Sequence, residues 1–325
     1  MPHADPTQHP YSTLTPEAVL DACTEAGLRP DGRLLGLNSY ENRVYQVYLD
    51  EGAPVVVKFY RPGRWTREQI DEEHAFAREL AEREIPVIAP ISCSVFKEFV
   101  FAVYPRRGGR APNLEDPKVL EWIGRFIGRI HAVGGTRKFS VRESLDAESF
   151  GRVPERWLTG HRSVPEDLFP SWKAVIDQCL EAIDACYARA GRVKFLRLHG
   201  DCHPGNILWT DQGPHFVDLD DARMGPAAQD LWMLLSGDRE AMAVQMHHVL
   251  AGYEEFMEFD PRELNLLEAL RTLRLIHYSY WIARRWDDPA FPAAFPWFGT
   301  QRYWQDRILE LKEQIALMQE EPLAP

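Results

Sequence analysis

Three oxygen-bearing side chains in the middle of the chain have types and spacing that could do chemistry. Asp201 lies in His199-Gly200-Asp201-Cys202-His203-Pro204-Gly205-Asn206, Asn206 follows five residues later, and a strand-like stretch then ends in Asp218-Leu219-Asp220. A carboxylate, an amide oxygen and a second carboxylate on one loop and hairpin supply a base for a hydroxyl and two ligands for a hard cation. That chemistry is phosphoryl transfer, with ATP and Mg2+ implied as cofactors. Asp201 would accept the hydroxyl proton or orient the nucleophile, Asn206 and Asp218 would hold the ion, and Asp220 would assist from behind. Any one Asp alone is more often a cap or a turn residue, so the combination carries the reading. For His199 a scaffold role, with the ring bonded to backbone, is favoured over that of a base. His203 could face either substrate or a neighbouring carboxylate. Cys202 is read first as a small packed side chain and second as a redox-sensitive thiol.

Those groups need elements to position them. Ile207 to Thr210 and His215 to Leu219 read as two short strands joined by a turn at Asp211-Gln212-Gly213. Upstream, Thr15-Pro16-Glu17 opens a helix that Gly27 closes. Val44 to Leu49 and Pro54 to Tyr60 read as a hairpin, Arg67 to Glu84 as a helix, and Phe99 to Tyr104 as a third strand. Lys58, near the end of the second strand, is the candidate cation for the nucleotide phosphates. Of Glu68, Glu72 and Glu73 on the following helix, the phase set by Phe76, Ala77 and Leu80 selects Glu73 as its partner. Ser39 and Asn42 stand where a glycine-rich phosphate loop is expected, and each serves equally as a nucleotide contact or a plain turn residue. Tyr104-Pro105-Arg106 reads as a hinge whose backbone could bond an adenine edge.

Beyond the turn formers at 105–110 the long segments have helical period, at 116–134 and at about 171–190, 239–258, 262–286 and 301–320. The expected fold is α+β and bilobal, protein-kinase-like, with a small antiparallel-sheet N-lobe (1–107, hinge included) and a large, mainly helical C-lobe (108–325). Composition is that of an ordinary globular protein, 45% apolar and 26% charged. A net charge of −12 opposes nucleic acid and anionic membrane as partners. The polar, proline-rich start, the lack of a long apolar run and five scattered cysteines suggest a cytoplasmic protein without disulfides or zinc.

The stretches LNSYENRVYQV, VVKFYRP, LHGDCHPGNILW, FVDLDDARMGP and QDLWMLL resemble the aminoglycoside phosphotransferase and choline kinase superfamily, and within it the bacterial stress response kinase A family of serine/threonine protein kinases. The resemblance implies Asp201 as proton acceptor, Asn206 and Asp218 as metal ligands, Ser39 in the ATP site and Lys58 as the phosphate-binding lysine. Asp230 follows Asp218 by only twelve positions, too few for a long phosphorylatable activation segment. The residues alone leave a protein Ser or Thr and a small alcohol, such as an amino alcohol or aminoglycoside hydroxyl, as acceptors. The resemblance favours protein. A catalytically silent binding module is opposed by the intact Lys58, Asp201, Asn206 and Asp218. The aromatic run at 278–298 reads as core before substrate site.

Overall fold

A computed structural model describes residues 9–325. The chain divides into two compact units, one of residues up to Arg110 with Trp286–Ala294, the other of Ala111–Arg285 with Phe295–Pro325. Among the described residues no helix is long and apolar enough to cross a membrane.

The first unit opens with α1 (Pro16–Glu25), whose N-cap Thr15 accepts the Ala18 N–H. A five-stranded antiparallel sheet follows, ordered β1-β2-β3-β5-β4, from β1 (Pro30–Leu37), β2 (Arg43–Leu49), β3 (Val55–Phe59), β4 (Ser92–Phe96) and β5 (Phe99–Pro105). The expected three strands are there. β1 and β4 are additions that sequence reading missed. Period-2 alternation explains what the sheet does. Val57, Phe59, Phe99, Phe101 and Val103 pack with Val19, Ala22 and Cys23 of α1 on one face. Ala102 and Tyr60 pack with Ile70 of α2 (Arg67–Glu82) on the other. A full capping box at Thr66 and Gln69 fixes where α2 starts. Lys58, between Val57 and Phe59, therefore falls on the α2 face, opposite the small Ala102 of β5.

The second unit begins with α3 (Pro117–Gly134), followed by a π turn at Glu148–Arg152 running into α4 (Val153–Gly160), then α5 (Phe169–Ala190). Two short strand pairs carry the chemistry-bearing segment: β6 (Leu196–Arg197) with β9 (Met224–Gly225), and β7 (Ile207–Thr210) with β8 (Gly213–Phe216). Next come α6 (Ala228–Trp232), α7 (Arg239–Tyr253) and α8 (Leu267–Ala283), the last preceded by a 3-10 turn at Pro261–Leu266. The chain then contributes α9 (Ala290–Ala294) to the first unit and returns to the second as α10 (Gln301–Gln319), which packs on α5. Trp286–Ala294, read from sequence as part of the C-lobe, thus packs with the sheet unit. There Asp288 pairs with Arg61 at 2.8 Å and with Arg43 at 3.3 Å, and Phe291 is wholly buried. The first unit combines an antiparallel sheet with helices and the second is mainly helical, the α+β class that the sequence led us to expect.

Candidate active site

Asp201 lies on the loop between β6 and β7, and three supports fix that loop. Gly200 has φ +85°, and a Cβ there would come within 2.2 Å of the Asp221 carbonyl oxygen, so only glycine lets the loop pass so close. The wholly buried Asp230 of α6 accepts the backbone N–H groups of His199 and Gly200, both at 2.8 Å, while His131 Nε2 of α3 stands 3.0 Å from the same carboxylate. Gln229 Nε2 donates to the Gly200 carbonyl at 3.1 Å. Burial pulls the Asp230 carboxyl upward. The hydrogen bond and charge of His131, the charge of His199 and the Gly200 N–H outweigh it and hold the group below its ordinary value.

The ring of His199 donates from Nε2 to the Val217 carbonyl at 2.9 Å, which makes it the scaffold side chain expected of it. It ties the Asp201 loop to the stretch that leads to Asp218. The β7/β8 register sets Ile207 opposite Phe216, and the Val217 N–H donates to the Asn206 carbonyl at 3.0 Å. Asn206 and Asp218 therefore emerge beside each other at the open end of one hairpin. Asn206 Nδ2 donates to the Asp201 carbonyl at 2.9 Å, which leaves its Oδ1 as the amide atom presented to a cation. Asp218 is exposed and left-handed, at φ 59° and ψ 63°, a conformation uncommon for a non-glycine residue and concentrated at functional sites. One amide oxygen and one carboxylate match how Mg2+ is held with waters and phosphate oxygens. Asp220 is buried, its carbonyl accepting Arg142 Nη1 at 2.7 Å, and the same guanidinium reaches the Ala222 carbonyl at 2.8 Å.

The Asp201 carboxylate has two side-chain neighbours, Arg274, which sequence reading did not supply, and His203, which it left open. Arg274 Nη1 of α8 donates to Oδ1 at 2.5 Å. His203, whose Nδ1 accepts the Gly205 N–H, sets Nε2 3.6 Å from Oδ2, so this ring faces the carboxylate of the two options open to it. Burial, the largest influence on His203, lowers its basicity. Cys202 is fully buried and burial pushes its thiol well up, so it is a packed side chain, not a redox handle. Asp230, His131, Gln229, Arg142 and Arg274 were all missed. For Arg274 a signal existed in the helical phase it shares with Tyr278 and Trp281, but nothing local pointed to Asp201.

In the first unit Lys58 is buried, its Nζ 4.9 Å from the centre of the Tyr60 ring and 5.4 Å from that of Tyr104. Glu73 is buried on the inward face of α2, whereas Glu72 is half-buried and Glu68 exposed. Tyr60 OH links Glu73 Oε2 at 3.3 Å, His74 Nε2 at 2.7 Å and Tyr104 OH at 2.9 Å. Lys58, Glu73 and Tyr104 thus share one polar cluster. Asn42 is buried, its Oδ1 accepting the Arg61 N–H at 3.1 Å, so its side chain braces its own loop; Ser39 is half-buried in the turn ahead of β2.

Comparison with known proteins follows the same outline. The phosphotransferase enzyme family matches residues 33–267. The chain is similar to stress response kinase A of Escherichia coli K12, 44% identical over 318 residues that cover 96% of each chain. It is similar also to a serine/threonine protein kinase, RdoA, of Salmonella typhimurium, 43% identical over 320 residues and again 96% of each. Among solved structures an amicoumacin kinase in complex with AMP-PNP, Ca2+ and Ami aligns at TM-score 0.71 and 17% identity, covering 94% of this chain and 95% of that one. A choline kinase from Cryptosporidium parvum aligns at 0.62 and 11%, covering 94% and 96%. At such identities the structural likeness speaks to the fold.

Proposed function

The chain belongs to the phosphotransferase enzyme family, and from that premise we propose that it is a cytoplasmic ATP- and Mg2+-dependent kinase that phosphorylates Ser or Thr of a protein in a bacterial stress response. Lys58, kept in place by the cluster with Glu73, neutralises nucleotide phosphate charge, and Ser39 lies in the nucleotide-binding turn. Asn206 Oδ1 and Asp218 hold the divalent ion, which when bound offsets the charge of the phosphate oxygens. Asp201 accepts the proton of the acceptor hydroxyl and orients its oxygen. The loop needs no assembly at the moment of reaction, because Asp230, His199 and Gly200 already fix it.

The observation that carries this reading is the convergence of Asp201, Asn206 and Asp218 on one braced loop and hairpin. The likeness to named protein kinases at 43–44% identity supports a protein acceptor. A small-alcohol acceptor keeps one argument, the short stretch between Asp218 and Asp230, which small-molecule kinases share. Incubation with γ-labelled ATP, a peptide library and a panel of amino alcohols tests the acceptor: label confined to a small alcohol overturns the protein assignment. Asp201→Asn is expected to lose about 10²- to 10⁴-fold in transfer rate, the usual worth of general-base catalysis. Mg2+-dependent ATP turnover absent from the wild type as from the variant would mean a silent binding module.

A further inference from the structure

We infer that Arg274 sets the charge of the acceptor, and that the preferred acceptor is a Ser or Thr in an acidic peptide segment, with cationic amino alcohols excluded. The inference rests on Asp201 being the group that receives the acceptor hydroxyl. Arg274 is 39% exposed and Asp201 21% exposed, so both are reachable from solvent, and the guanidinium lies 2.5 Å from the carboxylate oxygen. Any hydroxyl brought to Asp201 thus arrives beside an ion-paired guanidinium whose remaining N–H groups can bond an anionic neighbour. On the other oxygen sits His203, at 3.6 Å. A kinase for aminoglycosides or choline-like alcohols needs negative charge at that place, and the Asp201 carboxylate at the acceptor position is already paired.

The nearby acids are committed elsewhere. Asp221 is bound by Arg223 at 2.7 Å, Asp220 is buried, Asp230 is engaged by His131 and two backbone N–H groups, and Asp218 belongs to the cation site. The surface beyond Arg274 continues the same chemistry. Tyr278 and Trp281 follow it on α8 at four and seven residues, on one helical stripe, and Arg285 lies in the turn just past the helix end. The rings of Tyr278 and Trp281 stack at 5.9 Å, and the Arg285 guanidinium lies 5.4 Å from the Trp281 ring centre. Two half-buried guanidiniums flanking two half-buried aromatic rings make a strip suited to a peptide with carboxylates. Arginine adds directional bonds to such groups that a lysine would not. The chain's net charge of −12 repels an acidic segment at long range, but salt screens that field beyond about 8–10 Å, whereas Arg274 acts at contact.

The test measures kcat and KM separately for the full chain on Ser peptides flanked by Asp/Glu, by neutral residues or by Lys/Arg, and on an amino alcohol. Wild type, Arg274→Gln and Arg274→Lys are compared. In the wild type KM for the acidic-flanked peptide should be about tenfold below that for the basic-flanked one, a size of effect reasonable for a contact charge. Arg274→Gln should bring the ratio to within about twofold, and Arg274→Lys should keep part of it. The inference is overturned by wild-type preference for the basic-flanked peptide or the amino alcohol, or by an acidic preference that survives in Arg274→Gln. The wild-type panel decides the matter even where Arg274→Gln folds poorly. Failure of the parent reading looks different: no acceptor labelled, and ATP turnover the same in wild type and Asp201→Asn.

Discussion

Asp230 acts on the proposed chemistry through backbone, since its two oxygens take the N–H groups of His199 and Gly200 just ahead of Asp201. Asp230→Ala would leave two buried N–H groups and the ring of His131 without that carboxylate. Removing one member of a buried charged network costs roughly 3 kcal/mol, so denaturant unfolding should show a loss of that order. The slackened loop should lower kcat more than it raises KM for ATP. Wild-type stability and kcat in this variant would mean that the loop is held by something else. The sequence made Asp201, Asn206 and Asp218 legible because their geometry is local, written in the spacing of one loop and one hairpin. His131 and Asp230 face each other across 99 positions, and Arg274 meets Asp201 across 73. No periodicity links residues so far apart.

At the level of elements, legibility followed burial. β3 and β5 were readable as β-branched and aromatic runs because both are largely buried, with one face of each meeting α1, while β1, Pro-Asp-Gly-Arg-Leu-Leu-Gly-Leu, is half-exposed or exposed throughout and shows no such run. β4 was passed over as connection because it is short and mostly half-buried. α3 was readable from its apolar stripe, but its closeness to α7 was not, since that depends on glycines at which the two backbones touch. A Cβ on Gly128 would lie 2.5 Å from the Tyr253 carbonyl oxygen, and one on Gly124 2.1 Å from that of Val249. Gly128→Ala should raise intrinsic helix propensity by up to ~1 kcal/mol, yet destabilise the protein by about 1–3 kcal/mol as the helices are pushed apart. The same helices carry His131 and Tyr253, whose side chains are 3.0 Å apart, so the shift should reach Asp230 and reduce transferase activity as well. Thermal unfolding and a rate assay check it; an Ala variant more stable than wild type would show that the helices tolerate separation.

At the scale of the whole molecule, the chain enters the sheet unit a second time with Trp286–Ala294, and this return joins residues more than two hundred positions apart. Arg61, buried, is 2.8 Å from Asp288 and 3.7 Å from Glu41, and Asp288 also reaches Arg43 at 3.3 Å. Three consecutive residues at the head of β2, Glu41, Asn42 and Arg43, are thereby tied to Arg61 just past the end of β3 and to a segment from the far end of the chain. Burial raises the Asp288 carboxyl, but the Arg61 hydrogen bond, the Ala290 N–H and the charges of Arg43 and Arg61 exceed it and leave the group below its ordinary value. A carboxyl depressed in the folded state binds its proton more readily when unfolded. Its contribution to stability is complete above the unfolded value and is lost as pH falls through the folded one. Asp288→Asn should therefore cost about 3 kcal/mol at neutral pH, because two guanidiniums lose their counter-charge. The gap between wild type and variant in urea unfolding should stay level above about pH 5 and close as pH drops below about 4. Asp31→Asn, which removes the partner of the exposed Arg33, should leave the unfolding midpoint where it was, since solvent screens such pairs. A gap that persists undiminished at acid pH would place the effect in the packing of the returning segment around Phe291, with no part played by the Asp288 charge.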